Sequence, residues 1–158
     1  MSAVALNLGT RKKNMTENVV IDRIETDAQI LATSEVMRQL RPHIAVENYL
    51  PTVRRMMATD RFRLAAVREG GIVRAVAGYR VTEMLFCGRI LYVDDLITDE
   101  RTRSKGHGKR LLNWLQEEAR AQNCAELHLD SGVHRAGAHR FYFREGLTIS
   151  DFHFQQKL

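Results

Sequence analysis

Cysteine and proline are scarce in this sequence, two of each in 158 residues, and tryptophan occurs once. Cys87 and Cys124 stand apart with no CxxC spacing. That argues against a disulfide framework and a structural zinc site, and it points to a reducing, cytoplasmic setting. No apolar run approaches the roughly 18–20 residues of a membrane span, and the N-terminus lacks the basic-then-apolar order of a secretory signal. No membrane partner is expected. Internal repeats and low-complexity tracts are missing as well, which argues against solenoids and disordered chains. What is present, 44% hydrophobic and 27% charged residues, suits one compact domain with a single sizeable core. The formal net charge of +5 leaves three sources open: a nucleic acid partner, an anionic cofactor or a basic tail.

The first fourteen residues contain Arg11, Lys12 and Lys13, no acid and no amphipathic period. Residues 1–17 therefore read as a flexible basic tail and 18–158 as one domain. Residues 1–14 carry three cations and no acid. Val19-Val20-Ile21 begins a short strand. Asp27 stands where a helix N-cap belongs, and Ile30, Val36, Met37 and Leu40 share one face of a helix that Pro42 stops. A second stripe, Val46 to Met57, contains Pro51, so that helix either begins near Asn48 or is kinked. Strands follow at Phe62–Arg68, Ile72–Val81 and Arg89–Thr98, the first two joined by Glu69-Gly70-Gly71. Gly106 to Asn123 returns to helical period, with Leu111, Leu112, Leu115 and Ala119 inward. A short strand around Leu127 and Leu129, a helix over Ala136–Arg144 and a closing strand at Phe152 and Phe154 complete the chain. The order β-α-α-β-β-β-α-β-α-β is a mixed α/β (α+β) domain and lacks the regular alternation of a doubly wound nucleotide fold.

The informative stretch is Leu96 to Leu112, where a strand runs through a turn with two glycines directly into a helix. The unpaired N–H groups of the first helical turn and the positive end of the helix dipole make such a turn an anion site. It is neither a Walker A loop nor GxGxxG, because Lys109-Arg110-Leu111 follow Gly108. Arg103, Lys105 and Lys109 add cationic side chains around it.

Arg103-Ser104-Lys105-Gly106-His107-Gly108 resembles the (Q/R)xxGx(G/A) signature of the GNAT superfamily of N-acetyltransferases. Ala138-His139-Arg140-Phe141-Tyr142-Phe143-Arg144-Glu145-Gly146-Leu147 is similar to that family's AxxFYxxxGF segment, with Leu147 where Phe is usual. The resemblance spans about Asp22 to Leu158 and implies a mixed, mostly antiparallel sheet flanked by helices. It also implies acetyl-coenzyme A as co-substrate. By position, the backbone of Leu96, Ile97 and Thr98 would contact the pantetheine arm in a gap between a bulged strand and its neighbour, Ala125–Asp130. The amides of Arg103, Ser104, Lys105, Gly106, His107, Gly108 and Lys109 would take the diphosphate. Arg135 stands where many members carry asparagine, a departure that bears on the pantetheine contact.

Acetyl transfer needs a deprotonated amine, a polarised thioester carbonyl and a proton for the departing thiolate. An alkyl amine has a pKa near 10.4 and the leaving thiol one near 8.5, so a base and an acid both help. The resemblance assigns the acid to Tyr142 and the base to Asp94, with strand alternation turning Asp95 to the other face. It implies direct attack by the amine in a ternary complex, a carbonyl donor from the Ile97 or Thr98 backbone, a small-molecule or peptide amine as acceptor, and a homodimer. Glu83, Asp94 and Asp95 offer an acidic approach for a cationic amine. No metal is expected, since His134 and His139 lie about 140° apart on a helix. Nucleic acid is not expected either, for want of a recognisable binding motif. The alternative is a catalytically silent sensor that only binds the coenzyme. Arg103, Gly106, Gly108 and Tyr142, all in place, weigh against it.

Overall fold

The computed structural model describes residues 19–158, so the basic tail assigned to residues 1–17 lies outside the described residues. Five strands form one sheet in the order of the chain: β1 (Val19–Ile24), β2 (Arg63–Glu69), β3 (Ile72–Met84), β4 (Gly88–Thr98) and β5 (Glu126–Leu129). The first four are antiparallel neighbours and β5 runs parallel to β4. A parallel pair requires a crossover, and α3 (His107–Ala121) supplies it. Two helices, α1 (Asp27–Leu40) and α2 (Val46–Thr59), connect β1 to β2, and α4 (Ala136–Arg144) follows β5.

Strand alternation sorts the apolar residues into two cores. Leu64 and Ala66 of β2, Val73 and Val76 of β3 and Ile97 of β4 pack against Ile30, Val36 and Met37 of α1 and Tyr49 and Val53 of α2. On the opposite face Ala65, Val67, Ala75, Ala77, Tyr79, Leu91 and Val93 meet Leu111, Leu115 and Ala119 of α3. The inward stripe expected for α3 is the observed one, with two additions, His107 and Glu118. The Glu118 carboxylate accepts from Arg23 of β1 at 2.5 Å and from Arg63 of β2 at 3.4 Å. A buried carboxylate left alone is strongly destabilising, so the two guanidinium groups tie α3 to the sheet.

Three local expectations change. The cap of α1 is Thr26, not Asp27: its hydroxyl accepts from Gln29 N, and the Gln29 side chain accepts from Thr26 N in a full capping box. α2 begins at Val46 and continues through Pro51, which omits one backbone bond within the helix. The closing strand at Phe152 and Phe154 is absent among the described residues. Residues 148–158 are exposed and Phe152 and Phe154 pair with no strand, because β5 ends after four residues and offers little edge for a ladder.

Two β-bulges interrupt the antiparallel register. In β3 the extra residue is Arg74, between Arg68↔Val73 and Val67↔Ala75. In β4 it is Asp94, between Tyr79↔Val93 and Gly78↔Asp95. Gly78 faces the second bulge: a side-chain carbon there would lie 2.4 Å from the Phe62 ring and 2.9 Å from Asp95 Oδ2. We expect Gly78→Ala to destabilise the fold by about 1–3 kcal/mol, the usual cost of overpacking, measured as a shifted denaturant midpoint at constant slope.

Candidate active site

The bulge at Asp94 does two things to β4. It inserts one residue into the alternation, so Asp94 and Asp95 both line the same cavity on the α1–α2 face of the sheet. This corrects the expectation that they face apart, which assumed an unbroken strand. It also marks where β4 parts from β5. The parallel register runs from Ile90↔Glu126 to Val93↔Leu129 and stops, so residues 94–98 keep β3 on one side and have no strand on the other. The bulge and the splay expected for this strand are therefore both present. Leu96, Ile97 and Thr98 lie along the unpaired edge, with backbone groups available to an extended ligand.

The cavity has a volume of about 310 Å³. Met37 and Ile44 bound it on the α1 side, Val53 and Met56 on α2, and Phe62 and Leu64 on the sheet. Its charged end is ordered by arginines. Arg80 donates to Asp94 with two nitrogens, at 3.0 and 2.6 Å, and Arg41 donates to Asp95 Oδ1 at 2.7 Å and to the Asp94 carbonyl at 3.2 Å. Burial raises the Asp95 carboxyl above its usual range, while Arg41 pulls it back. Sequence reasoning placed Asp95 in the acidic approach but on the wrong face of the strand, and it missed Arg41 as a cavity residue. The first needed the bulge, and the second needed the packing of α1 across the end of β4.

At the other end of the splayed edge β4 gives way to a short 3-10 turn at Glu100–Thr102, then to the turn that opens α3. Gly106, the residue before α3, has φ +83°, a left-handed conformation that favours glycine, and its outer side is open. Gly108 serves a different purpose. A side-chain carbon there would come within 3.0 Å of Thr98 Oγ1 and 3.7 Å of the Phe141 ring, so its absence lets β4, α3 and α4 converge. Arg103, Ser104 and Lys105 are exposed around the turn, and Lys109 Nζ sits 3.0 Å from Glu145 Oε2 of the segment after α4. His107 differs from the rest: its side chain is buried, so only its backbone amide belongs to the turn.

Tyr142 lies on α4, half-buried, with burial raising its hydroxyl pKa and Arg135 opposing that shift. The hydroxyl is therefore protonated at neutral pH, as a proton donor must be. Its helix ends in a Schellman cap: Gly146 N donates to Phe143 O at 3.1 Å, Leu147 N donates to Tyr142 O at 3.0 Å, and Gly146 has φ +87°. That cap explains why a glycine follows Tyr142 by four residues. Elsewhere, the turn before β4 and β5 bring Cys87, Glu126 and His128 together, each offering one donor atom within 4.8 Å of the others. His128 Nε2 is 2.5 Å from Glu126 Oε2 there, so the histidine and carboxylate already pair with each other.

The uncharacterized N-acetyltransferase YhdJ of Bacillus subtilis is 33% identical to this chain over 122 residues, 77% of this chain and 86% of that protein. The aminoalkylphosphonate N-acetyltransferase of Salmonella typhimurium is 32% identical over 97 residues, 61% of this chain and 62% of that protein. Among solved structures, aminoglycoside N-acetyltransferase AAC(6')-Iy in complex with CoA superposes with a TM-score of 0.79 over 90% of this chain and 95% of that one, at 12% identity. The likeness to that structure is one of fold. The acetyltransferase (GNAT) family model matches residues 30–146, from the first core residue of α1 to the glycine that caps α4. The chain belongs to the GNAT family of acetyltransferases.

Proposed function

We propose that this chain is an acetyl-coenzyme A-dependent N-acetyltransferase acting on a small primary amine by direct attack in a ternary complex. The observation that carries the reading is the meeting, at the Asp94 bulge, of the acid-ended cavity with the unpaired edge of β4. The coenzyme's pantetheine arm would lie along Leu96, Ile97 and Thr98, and its diphosphate on the amides from Arg103 to Lys109. The amine would enter from the α1–α2 side, and its thioester partner along the splayed edge, so the two reach one place from different directions. Proximity then supplies much of the rate.

In this reading the amine's ammonium form is received by Asp94 and Asp95, and its proton leaves through water to that pair, with Asp94 as base and Asp95 beside it. Burial moves the Asp95 carboxyl toward the range of a working base. The amine nitrogen bonds to the acetyl carbon, the carbon–sulfur bond breaks, and the thiolate takes the Tyr142 proton. The second proton shed by the new amide nitrogen returns through water to the Tyr142 phenolate. A backbone N–H of Ile97 or Thr98 steadies the carbonyl oxygen meanwhile. A cavity of about 310 Å³ stands at the small end of ligand sites and favours a small molecule over a lysine peptide. Arg41 and His43 line it along with the two acids. The Arg41 guanidinium beside the two acids suits a small amine that also bears an anionic group, as the name of the Salmonella relative describes for that protein.

Three measurements test this reading. Gly106→Glu puts a carboxylate against the diphosphate and is expected to abolish acetyl-coenzyme A binding in calorimetry. Gly106→Ala, which carries the same left-handed strain without the charge, retains measurable binding. Tyr142→Phe should lower turnover on the order of 10²-fold, the low end for losing a general acid, with coenzyme affinity unchanged; an equal rate would reduce Tyr142 to packing. A thiol-release assay across aminoalkylphosphonates, polyamines, aminoglycosides and lysine peptides is expected to rank a small amine with an anionic group first. Release with none of them, despite tight coenzyme binding, would support the silent sensor instead.

A further inference from the structure

His107 opens α3, yet its ring is only 2% exposed. Among the described residues five buried side-chain polar atoms have no hydrogen bond, and four of them cluster here: His107 Nδ1 and Nε2, Glu69 Oε2 and Arg74 Nε. Buried polar atoms are nearly always paired, so such a concentration calls for a reason. His107 Nε2 lies 3.8 Å from Glu69 Oε2, too far for a hydrogen bond, and Glu69 Oε2 lies 3.4 Å from Arg74 Nε. Arg74 comes to this place as the extra residue of the β3 bulge, and its Nη1 lies 3.9 Å from Asp99 Oδ2. Asp99 is already held by Arg101 and Gln39.

The charges that act on the ring come from each surrounding segment: Glu69 at the end of β2, Arg74 on β3, Lys105 in the turn and Arg110 on α3 itself. One carboxylate opposes three cations. Burial, with those cations, keeps the imidazole below its usual pKa. We infer that His107 is a positioning residue coupled to the turn above it: when a diphosphate seats on the α3 amides, His107 takes up one proton and closes a charged hydrogen bond to Glu69. The inference rests on the proposed placement of the coenzyme's diphosphate. Its physical basis is that bound phosphate charge offsets the field of Lys105, Arg110 and Arg74, and so favours the imidazolium. A buried imidazolium in turn needs a partner, and Glu69 Oε2 is about 1 Å beyond charged hydrogen-bond range. Closing that distance would draw the start of α3 onto the β2–β3 hairpin and fix the turn.

A group whose pKa rises on binding takes up protons between its free and bound values, so affinity falls as pH rises through that window, at most tenfold per pH unit for one proton. Coenzyme A itself carries a phosphomonoester that titrates near pH 6 in the opposite sense, so dephospho-coenzyme A is the ligand to use. Calorimetry in two buffers of different ionisation enthalpy is expected to show net proton uptake, and affinity should weaken from pH 6 to pH 8. His107→Gln should bind with no uptake and a flat pH profile, and Glu69→Gln should diminish both. NMR of the wild-type His107 ring, with and without ligand, should show its pKa rising on binding, which keeps the test valid even if a variant fails to fold. Tight binding with no proton uptake, or uptake that persists in His107→Gln, overturns this inference and leaves the coenzyme assignment standing. No binding by the wild-type protein overturns both.

Discussion

The insertion of Asp94 into β4 is the constraint on which the rest of the site depends. A strand paired on both edges has no backbone group to offer a ligand, and one in strict alternation sends neighbouring side chains to opposite faces. The bulge suspends both rules at one place. Before it, Leu91 and Val93 face α3 while β5 holds the outer edge. After it, Ile97 faces α1 and α2 and the outer edge is unpaired. Gly78 on β3 is the complement of this irregularity, because only a residue without a side chain leaves room for Phe62 and Asp95 to approach from either side.

The remaining parts are registered to that strand by a few specific ties. Glu118, held by Arg23 and Arg63, fixes α3 against β1 and β2, and the missing side chain of Gly108 brings the helix start against Thr98. Arg41 reaches from the end of α1 to Asp95, and Arg80 reaches along the sheet to Asp94. Two carboxylates side by side would repel each other in a half-buried site, and one guanidinium each offsets that repulsion. β4 thus supplies both acids of the cavity, and the end of α1 and β3 supply the arginines that hold them.

Much of this was legible in the sequence and some was not, for identifiable reasons. The α3 stripe of Leu111, Leu112, Leu115 and Ala119 and the two-glycine turn are local patterns, and local patterns survive folding. The family resemblance added the splay of β4. The facing of Asp95 was misread because a bulge is invisible to a period-two count until the partner strand is known. Thr26 was passed over as a cap in favour of Asp27, although Gln29 three residues on signalled the capping box. The closing strand was inferred from the alternation of Phe152 and Phe154, but alternation shows only that a segment suits a ladder, and the short β5 provides no such partner. Glu118 sat unread on a helix face, since its arginines are 95 and 55 residues away in the chain.

The Schellman-capped helix α4 has no fully buried residue and belongs to neither core. Its contacts include the Phe141 ring near Gly108 and the Lys109–Glu145 pair at the start of α3, and His139 Nε2 at 3.0 Å from the Gly132 carbonyl. Local stability follows buried contact, so the sheet with α1 to α3 and the helix that carries Tyr142 occupy different tiers of the opening hierarchy. Tyr142 therefore rides on an element whose local opening costs less than opening of the sheet. In the proposed reaction, admitting and releasing a bulky co-substrate beside it would cost a local opening instead of a global one.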